Sequence, residues 1–327
     1  MRVLDNPQSM PADCAGAVLA LGNFDGVHRG HQAVLSQTMR IARDLGRPVG
    51  AMIFTPHPRR FFRPQDPLFP LTPLDVKLEL LEACGLDFVV NMRFDAAFAS
   101  TSAEDFVATV LAKQLDVSHV VAGFNFHFGK ARQGTPAFLR EAGSRHGLGV
   151  TILERAGDGE RVYSSSAIRA LLQAGNVATA AQALGYWWFV RSSVISGDRR
   201  GRELGFPTAN MALSPETDLA HGIYAVRVRR FHDGVKSRHD GVASFGVRPT
   251  FGGGRALLET HLFDFSGDLY GDTAEIEFIN FIRPEAKFDG VEALIAQMEK
   301  DCLIAKDMLA RSRQIRLGPL AEALTQA

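Results

Sequence analysis

The chain has 327 residues, of which 46% are apolar and 22% charged, as in an ordinary globular protein of one large or two average domains. Its formal net charge of +0 argues against a general polyanion-binding surface, and three scattered cysteines argue against a disulfide framework. It has neither an apolar run of membrane-spanning length nor a signal-peptide core. We therefore expect a cytoplasmic protein that binds small molecules and has neither a nucleic-acid nor a membrane partner. Whether it forms a homo-oligomer is left open.

The first part of the chain, residues 1–184, alternates strand-like and helix-like segments. Apolar runs predict strands at 17–21, 49–54, 88–90, 119–123 and 150–153. Helical spacing predicts helices at 32–45, 74–84, 102–115 and 136–146. This alternation predicts an α/β domain with a parallel sheet, in which ligands bind beyond the carboxyl ends of the strands.

The loop after the first of these strands, residues 22–31, reads G-N-F-D-G-V-H-R-G-H. His28 and His31 stand three residues apart at a helix start, so their side chains point the same way. Free N–H groups, the helix dipole and two imidazoles suit a polyphosphate. Two histidines at this position also fit a surface or capping role. The absence of H-E-x-x-H and of a G-x-x-x-x-G-K-[ST] loop argues against a zinc site and a P-loop.

Three further clusters lie in this half. His57, Arg59 and Arg60 follow the second predicted strand, where they also fit a solvated loop. The run G-F-N-F-H-F-G at 123–129 follows the fourth, where it fits a ligand wall or a buried hairpin. The run Y-S-S-S-A-I-R at 163–169 opens a helix, where one hydroxyl caps the helix and the others are free to donate to phosphate.

The first loop resembles the G-x-F-D-x-x-H-x-G-H loop of the nucleotidyltransferase superfamily. With P-H-P, G-x-[ND]-F-x-F-G and S-S-[ST]-x-I-R following in order, the first half resembles the FMN adenylyltransferase module of bifunctional riboflavin kinase/FAD synthetases. Ser166 replaces the usual threonine and keeps the hydroxyl. The resemblance implies a Rossmann-like nucleotidyltransferase domain over residues 1–184 that uses ATP and a flavin.

The resemblance also suggests roles for individual residues. The catalytic candidates are His28, His31 and Arg169. The nucleotide- or phosphate-binding candidates are Gly22, Phe24, Asp25, Gly30, Asn125, Ser164, Ser165 and Ser166. The flavin-binding candidates are His57, Pro58, Phe62, Phe126 and Phe128.

From residue 185 onward the pattern changes to short alternating runs without intervening helices. Strands are predicted at 187–195, 222–231, 241–245, 257–263 and 274–281. Five or six such strands predict a small Greek-key β-barrel. Residues 290–316 then predict a terminal helix with one apolar face. We expect a second domain over residues 185–327.

The second chemical cluster, residues 201–210, reads G-R-E-L-G-F-P-T-A-N. Its glycines, with Gly197 and the arginines at 199, 200 and 202, suit a phosphate nest. Thr208 and Asn210 face the same side of an extended segment, where two neutral oxygens suit Mg²⁺. A proline-containing turn with a local asparagine cap is the alternative.

This cluster resembles the G-R-x-L-G-F-P-T-A-N signature of riboflavin kinase. The runs G-I-Y-A at 222–225 and L-E-T-H-L-F-D-F at 258–265 continue the match. The run R-P-T-F-G at 248–252 resembles the N-P-T-F-G turn of the family, with Arg248 in place of the asparagine. The resemblance implies Glu259 as general base, where a solvated strand carboxylate is the alternative. It implies nucleotide contacts from Gly201, Gly205 and Pro207, and Mg²⁺ ligands in Thr208 and Asn210.

The two resemblances together cover nearly the whole chain. They imply an enzyme that phosphorylates riboflavin to FMN with ATP in its second domain and adenylylates FMN to FAD in its first. Two alternatives are a single-activity nucleotidyltransferase with a non-catalytic barrel and a flavin sensor that has lost catalysis.

Overall fold

The structure is a computed structural model that describes residues 1–154, 157–158, 161–196, 201, 204–232, 235–247 and 256–326. Gly197, the three arginines of the predicted nest and the R-P-T-F-G run at 248–252 lie outside the described residues. The chain folds as two compact units, Met1–Ser165 with the C-terminal residues from Ala323, and Ser166–Glu322. The predicted boundary between two functional domains at 184/185 stays a prediction.

The first unit contains the predicted parallel sheet. Its six strands are β1 (Arg2–Asp5), β2 (Val18–Leu21), β3 (Val49–Thr55), β4 (Phe88–Arg93), β5 (His119–Gly123) and β6 (Gly149–Leu153). All neighbours pair in parallel, in the order β1-β4-β3-β2-β5-β6. The chain moves outward from β2 through β3 to β4 and then returns to add β5 on the other side of β2. This reversal makes the carboxyl ends of β2 and β5 the place where a crevice opens.

Helices connect these strands. They are α1 (Arg29–Leu45), α2 (Pro58–Phe62), α3 (Leu74–Ala83), α4 (Ala96–Ala99), α5 (Ala103–Asp105) with a π-helix at Phe106–Gln114, and α6 (Pro136–Arg145). Those predicted at 32–45, 74–84, 102–115 and 136–146 are confirmed, and the short helices α2 and α4 were not predicted. Helix α1 ends at Gly46, whose φ of 60° is left-handed. A short hairpin, β7 (Gly157–Asp158) and β8 (Arg161–Val162), precedes α7 (Ser165–Gln173) and α8 (Val177–Leu184).

The second unit contains the predicted antiparallel barrel. Its strands are β9 (Phe189–Ser193), β10 (Ala209–Ala212), β11 (Gly222–His232), β12 (Val235–Val247), β13 (Ala256–Leu262) and β14 (Thr273–Arg283). They pair in the order β10-β13-β12-β11-β14-β9. A bridge between Ile195 and Asn210 brings the two edges together, so the sheet nearly closes. Tyr224, Phe245 and Phe278 on these strands are fully buried.

The terminal helix α9 (Val291–Ser312) packs on the outside of β11, β12 and β14. Its Ala305 and Leu309 join Ala225 and Ile279 in one apolar cluster, as the predicted apolar face requires. A last helix, α10 (Pro319–Gln326), ends the described chain. No helix within the described ranges has the length and apolar character needed to cross a membrane.

Candidate active sites

The loop between β2 and α1 has a strained backbone. Phe24 and Val27 have φ values of 49° and 35°, although neither is a glycine. Both side chains are fully buried, and the Val27 amide donates to the Phe24 carbonyl at 3.1 Å. Buried anchors therefore hold the loop in a conformation that its residues would not adopt alone.

Asp25 connects this loop to the segment that precedes α3. Its buried carboxylate accepts hydrogen bonds from the backbone amides of Leu71 at 3.3 Å and Thr72 at 3.2 Å. The Thr72 hydroxyl also accepts from the Gly26 amide at 3.1 Å. The carboxylate that the sequence suggested for phosphate binding thus fixes the position of the loop.

His28 caps α1 through its ring. Its Nδ1 accepts from the His31 amide at 3.3 Å, which places the proton of a neutral His28 on Nε2. The two imidazoles stack with centroids 3.6 Å apart and an interplanar angle of 19°. The capping role that the sequence left open is therefore present at His28, and the same ring stacks on His31. A role of the pair in phosphate binding stays a prediction.

His31 lies between the His28 ring and the edge of Phe24, whose centroid is 5.1 Å away. Its Nδ1 is buried without a hydrogen-bond partner among the residues that the structure describes. Burial, with the neighbouring His28 ring and the Lys77 ammonium, lowers the pKa of His31 well below its usual range. His31 is therefore neutral at neutral pH in the free protein.

The start of α7 contacts the same loop. The Ser165 hydroxyl donates to the Asp25 carbonyl at 2.9 Å. A Cβ at Gly30 would lie 3.2 Å from the Tyr163 carbonyl and 3.1 Å from Nδ1 of His28, so glycine permits this close approach. Gly22 similarly faces the Phe24 ring, at 3.2 Å from a hypothetical Cβ.

The other candidates of this segment lie on or beside α7. Ser164 and Arg169 are half-buried and Ser166 is exposed. Both Ser164 and Arg169 take part in interactions within the folded chain. Their suggested contacts with phosphate remain predictions.

The loop after β3 positions His57 and an aromatic group. Nδ1 of His57 accepts from the Arg59 amide at 3.1 Å and so caps α2, which begins at Pro58. Phe62 is exposed at the end of α2. It belongs to a group of rings whose neighbouring centroids lie 5.2 to 6.0 Å apart, namely Phe54, Phe61, Phe62, Phe94 and Phe98.

The loop after β5 contains the alternating phenylalanines. Phe128 is buried and packs against Phe106, with ring centroids 4.9 Å apart. Phe126 is half-buried and stacks on Phe128 at 5.6 Å. Asn125 is exposed at the turn. The hairpin reading and the wall reading are thus compatible: Phe128 belongs to the core and supports the more accessible Phe126.

Sequence reasoning overlooked two residues of this region, Thr72 and Lys77. Thr72 could not be found from sequence because it acts on a loop more than forty positions away. Lys77 is only 9% exposed. A signal for it existed, since Leu74, Lys77, Leu80 and Leu81 share helical spacing and place a lysine on the apolar face of α3.

In the second unit, the strand register aligns the candidate kinase residues. Asn210 pairs with Glu259 across β10 and β13, and Glu259 pairs with Ser244 across β13 and β12. Directly paired residues of antiparallel strands face the same side, so these three side chains form one row. The row lies opposite the barrel interior, because the fully buried Leu258 and Thr260 alternate with Glu259.

The segment leading into β10 is built on close backbone contacts. The Phe206 amide donates to the Gly201 carbonyl at 2.7 Å, and a Cβ at Gly201 would lie 2.4 Å from the Phe206 carbonyl oxygen. Gly205 has a φ of 85°. The Pro207 carbonyl lies 2.9 Å from Nδ1 of His261, which fixes the segment against β13.

The donor set at Thr208 and Asn210 fits Mg²⁺. Asn210 is buried, and its Nδ2 donates to the Thr208 carbonyl at 3.4 Å, so its amide oxygen points elsewhere. The described residues contain no cluster of three His, Cys, Asp or Glu that would form an all-protein metal cage. One or two neutral oxygens beside substrate phosphates are the usual protein contribution to Mg²⁺.

Two family models match this chain. The one described as FAD synthetase matches residues 10–167, and the one described as Riboflavin kinase matches residues 184–309. The two models therefore match in succession, with the first including the histidine loop and the second including the Asn210–Glu259 row.

Curated relatives match over nearly their full length. The bifunctional riboflavin kinase/FMN adenylyltransferase of Escherichia coli (strain K12) is 37% identical over 96% of this chain and 98% of its own. The protein of the same description from Bacillus subtilis (strain 168) is 38% identical over 88% and 90%. A crystal structure described as a macrolide-efflux protein from Streptococcus pneumoniae is 30% identical, with a TM-score of 0.83 over 92% of this chain and 97% of that one.

Proposed function

We propose a mechanism with two separate phosphate sites for this chain, which belongs to the family of bifunctional riboflavin kinase/FMN adenylyltransferases. The chain is an enzyme that phosphorylates riboflavin to FMN and adenylylates FMN to FAD, with ATP as the second substrate of both reactions. The observation that carries this conclusion is the succession of two family matches on separate residue ranges. A single-activity transferase and an inactive sensor are the weaker alternatives.

For adenylyl transfer, the loop between β2 and α1 is the proposed polyphosphate site. The FMN phosphate attacks the α-phosphorus of ATP, and pyrophosphate leaves. Because the nucleophile is already ionised, the protein needs neither a covalent intermediate nor a strong base. Its task is to stabilise charge on the α-phosphate and on the leaving pyrophosphate. Nε2–H of His28 is a suitable donor, since Nδ1 of that ring is occupied by the His31 amide.

The remaining assignments in this domain rest on position. Ser164, Ser166 and Arg169 are proposed to contact phosphate at the start of α7. Ser165 lies beside them, but its hydroxyl proton is donated to the Asp25 carbonyl in the free protein, so it holds α7 against the loop. The loop backbone is proposed to approach the phosphates of ATP. Gly22 and Gly30 permit that approach, and the buried Phe24 and Asp25 hold the loop in place. Asn125 is proposed to contact the nucleotide. His57, Pro58, Phe62 and Phe126 are proposed to line the flavin site, with Phe128 behind them.

For phosphoryl transfer, the row of Asn210, Glu259 and Ser244 is the proposed reaction centre. The Glu259 carboxylate accepts the proton of the 5′-hydroxyl of riboflavin, whose oxygen attacks the γ-phosphorus of ATP as ADP leaves. The close-packed segment with Gly201, Gly205 and Pro207 is proposed to approach the nucleotide phosphates. Thr208 and Asn210 would hold Mg²⁺, which neutralises phosphate charge when bound.

The magnesium assignment predicts a selective effect of Thr208→Val, which removes the hydroxyl at nearly constant volume. We expect the Mg²⁺ concentration for half-maximal riboflavin kinase activity to rise about tenfold, while that for FMN adenylylation is unchanged. Thr208→Ser keeps the oxygen and is the matched control. Equal Mg²⁺ dependence of the valine and serine variants would remove Thr208 from the metal site.

The proposed function is tested by a time course with labelled riboflavin, ATP and Mg²⁺, in which chromatography separates the flavins. FMN should appear first and FAD after it, with ADP and pyrophosphate as the respective second products. Accumulation of FMN without FAD, or no conversion of riboflavin by folded protein, would contradict the two-activity conclusion. A cytoplasmic location and the lack of a nucleic-acid partner stay predictions.

A further inference from the structure

The carboxylate of Glu285 lies against the sheet face that contains Glu259, and the mechanism above does not use it. A Cβ added at Gly246 would collide with Oε1 of Glu285 and would lie 2.8 Å from its Cδ. Glycine at this position therefore leaves the space that the carboxylate fills. Glu285 is exposed, and among the residues that the structure describes none forms a hydrogen bond or an ion pair with it.

The strand register places Gly246 next to the proposed reaction centre of the second unit. Gly246 and Ser244 are two residues apart on β12 and face the same side, whereas the fully buried Phe245 between them faces the other. Ser244 pairs with Glu259 on β13. Two residues of a strand span about 7 Å, so the space above Gly246 adjoins the space above the Ser244–Glu259 pair.

The segment that carries Glu285 is held in place by the last residue of β14. The Arg283 guanidinium donates from Nε to Oδ1 of Asp301 at 3.0 Å and from Nη2 to Oδ2 at 2.7 Å, and Asp301 is buried on α9. Its Nη1 donates to the Pro284 carbonyl at 2.9 Å. Paired hydrogen bonds of this kind fix the geometry of both groups. Glu285, two residues after Arg283, therefore follows an anchored position although it is itself exposed.

The order of the strands indicates which substrate lies on this side. The order β10-β13-β12 puts Asn210 and Gly246 on opposite sides of the strand that contains Glu259. Asn210 belongs to the proposed metal and phosphate side. A carboxylate repels phosphate and accepts hydrogen bonds from hydroxyl groups. The side of Glu285 therefore suits the substrate that carries hydroxyls.

We propose that Glu285 is a specificity-determining residue of the riboflavin kinase site, whose carboxylate accepts hydrogen bonds from the secondary hydroxyls of the ribityl chain. The inference rests on the proposed position of the riboflavin 5′-hydroxyl at Glu259. The secondary hydroxyls lie between that hydroxyl and the ring system, so they extend away from Glu259 along the substrate. Glu285 takes no proton in the reaction and contributes to binding alone.

The test compares riboflavin with a flavin whose side chain is 5-hydroxypentyl, which keeps the terminal hydroxyl and lacks the secondary ones. In Glu285→Ala we expect the KM for riboflavin to rise about 10-fold to 100-fold with kcat little changed, because hydrogen bonds to a charged acceptor are lost. The KM for the hydroxypentyl flavin should stay near the parent value. Glu299→Ala, at an exposed position of α9, is the matched control and should change neither KM.

Gly246→Ala is a second variant, which displaces the carboxylate without removing it. Its methyl group would collide with Oε1 of Glu285, so the KM for riboflavin should rise as in Glu285→Ala. The double variant should show no further rise, since both changes remove the same contact. An unchanged KM for riboflavin in folded Glu285→Ala overturns the proposal, and so does an equal rise for both flavins.

The same variants separate this inference from the proposed function. A selective rise in the KM for riboflavin in Glu285→Ala, together with an unchanged kcat in Glu259→Gln, would support the role of Glu285 and contradict only the role assigned to Glu259. A change in the Mg²⁺ concentration for half-maximal activity of Glu285→Ala would place the carboxylate on the metal side and overturn the specificity role.

Discussion

Replacing His31 with asparagine is expected to stop FAD formation while FMN still accumulates from riboflavin and ATP. The ring lies against the His28 ring at 3.6 Å, in the first turn of α1, which follows the carboxyl end of β2. Removing a preorganised donor at a site of developing charge reduces turnover by about 100-fold to 1,000-fold. The measurement is the initial rate of FAD formation from supplied FMN, beside the rate of FMN formation from riboflavin.

The matched control for this variant is His146→Asn. His146 follows α6 in the first unit, and its ring interacts with Glu104 at the start of α5. Both rates should stay close to the parent values in this control. Equal losses of both activities in folded His31→Asn would show that the ring does not serve adenylyl transfer selectively.

Glu259→Gln should give the opposite pattern, with FMN formation lost and FAD synthesis from supplied FMN retained. The amide keeps the size of the side chain and its place in the row with Asn210 and Ser244, but it cannot accept the hydroxyl proton. Loss of a general base reduces the rate by about 100-fold to 10,000-fold. The measurement is riboflavin phosphorylation under saturating ATP and Mg²⁺, so that kcat is compared directly.

Glu292→Gln, at the exposed start of α9, is the matched control for the same chemical change. It should leave both activities intact. If Glu259→Gln phosphorylates riboflavin at the parent rate, Glu259 is not the general base and is only a strand carboxylate that faces solvent.

The parts of the fold that sequence predicted well are those with a strong local pattern. The run from Val18 to Leu21 is fully buried, and its apolar continuity was sufficient to identify it. The strand Arg2–Asp5 was missed, because four residues with one buried side chain have no readable period. The helix Val177–Leu184 was also missed, since its alanine-rich sequence contains few of the larger apolar residues that mark a face.

For the candidate sites as well, the sequence predicted the residues that belong to a local pattern and missed their partners from distant parts of the chain. The positions of His28, His31, Thr208 and Asn210 followed from short motifs whose residues are neighbours in the chain. The partners of these residues did not, because Asp25 meets Leu71 and Thr72 across more than forty positions. The alignment of Asn210 with Glu259 depends on strand register, which spacing along the sequence does not specify.

The central claim is that one chain has two independent reaction sites, and mixing the two variants tests it most directly. His31→Asn and Glu259→Gln are each expected to make almost no FAD from riboflavin and ATP. Their equimolar mixture should restore FAD formation, because FMN released by the first is adenylylated by the second. A mixture of folded proteins that makes FMN yet no more FAD than either variant alone would contradict the two-site account.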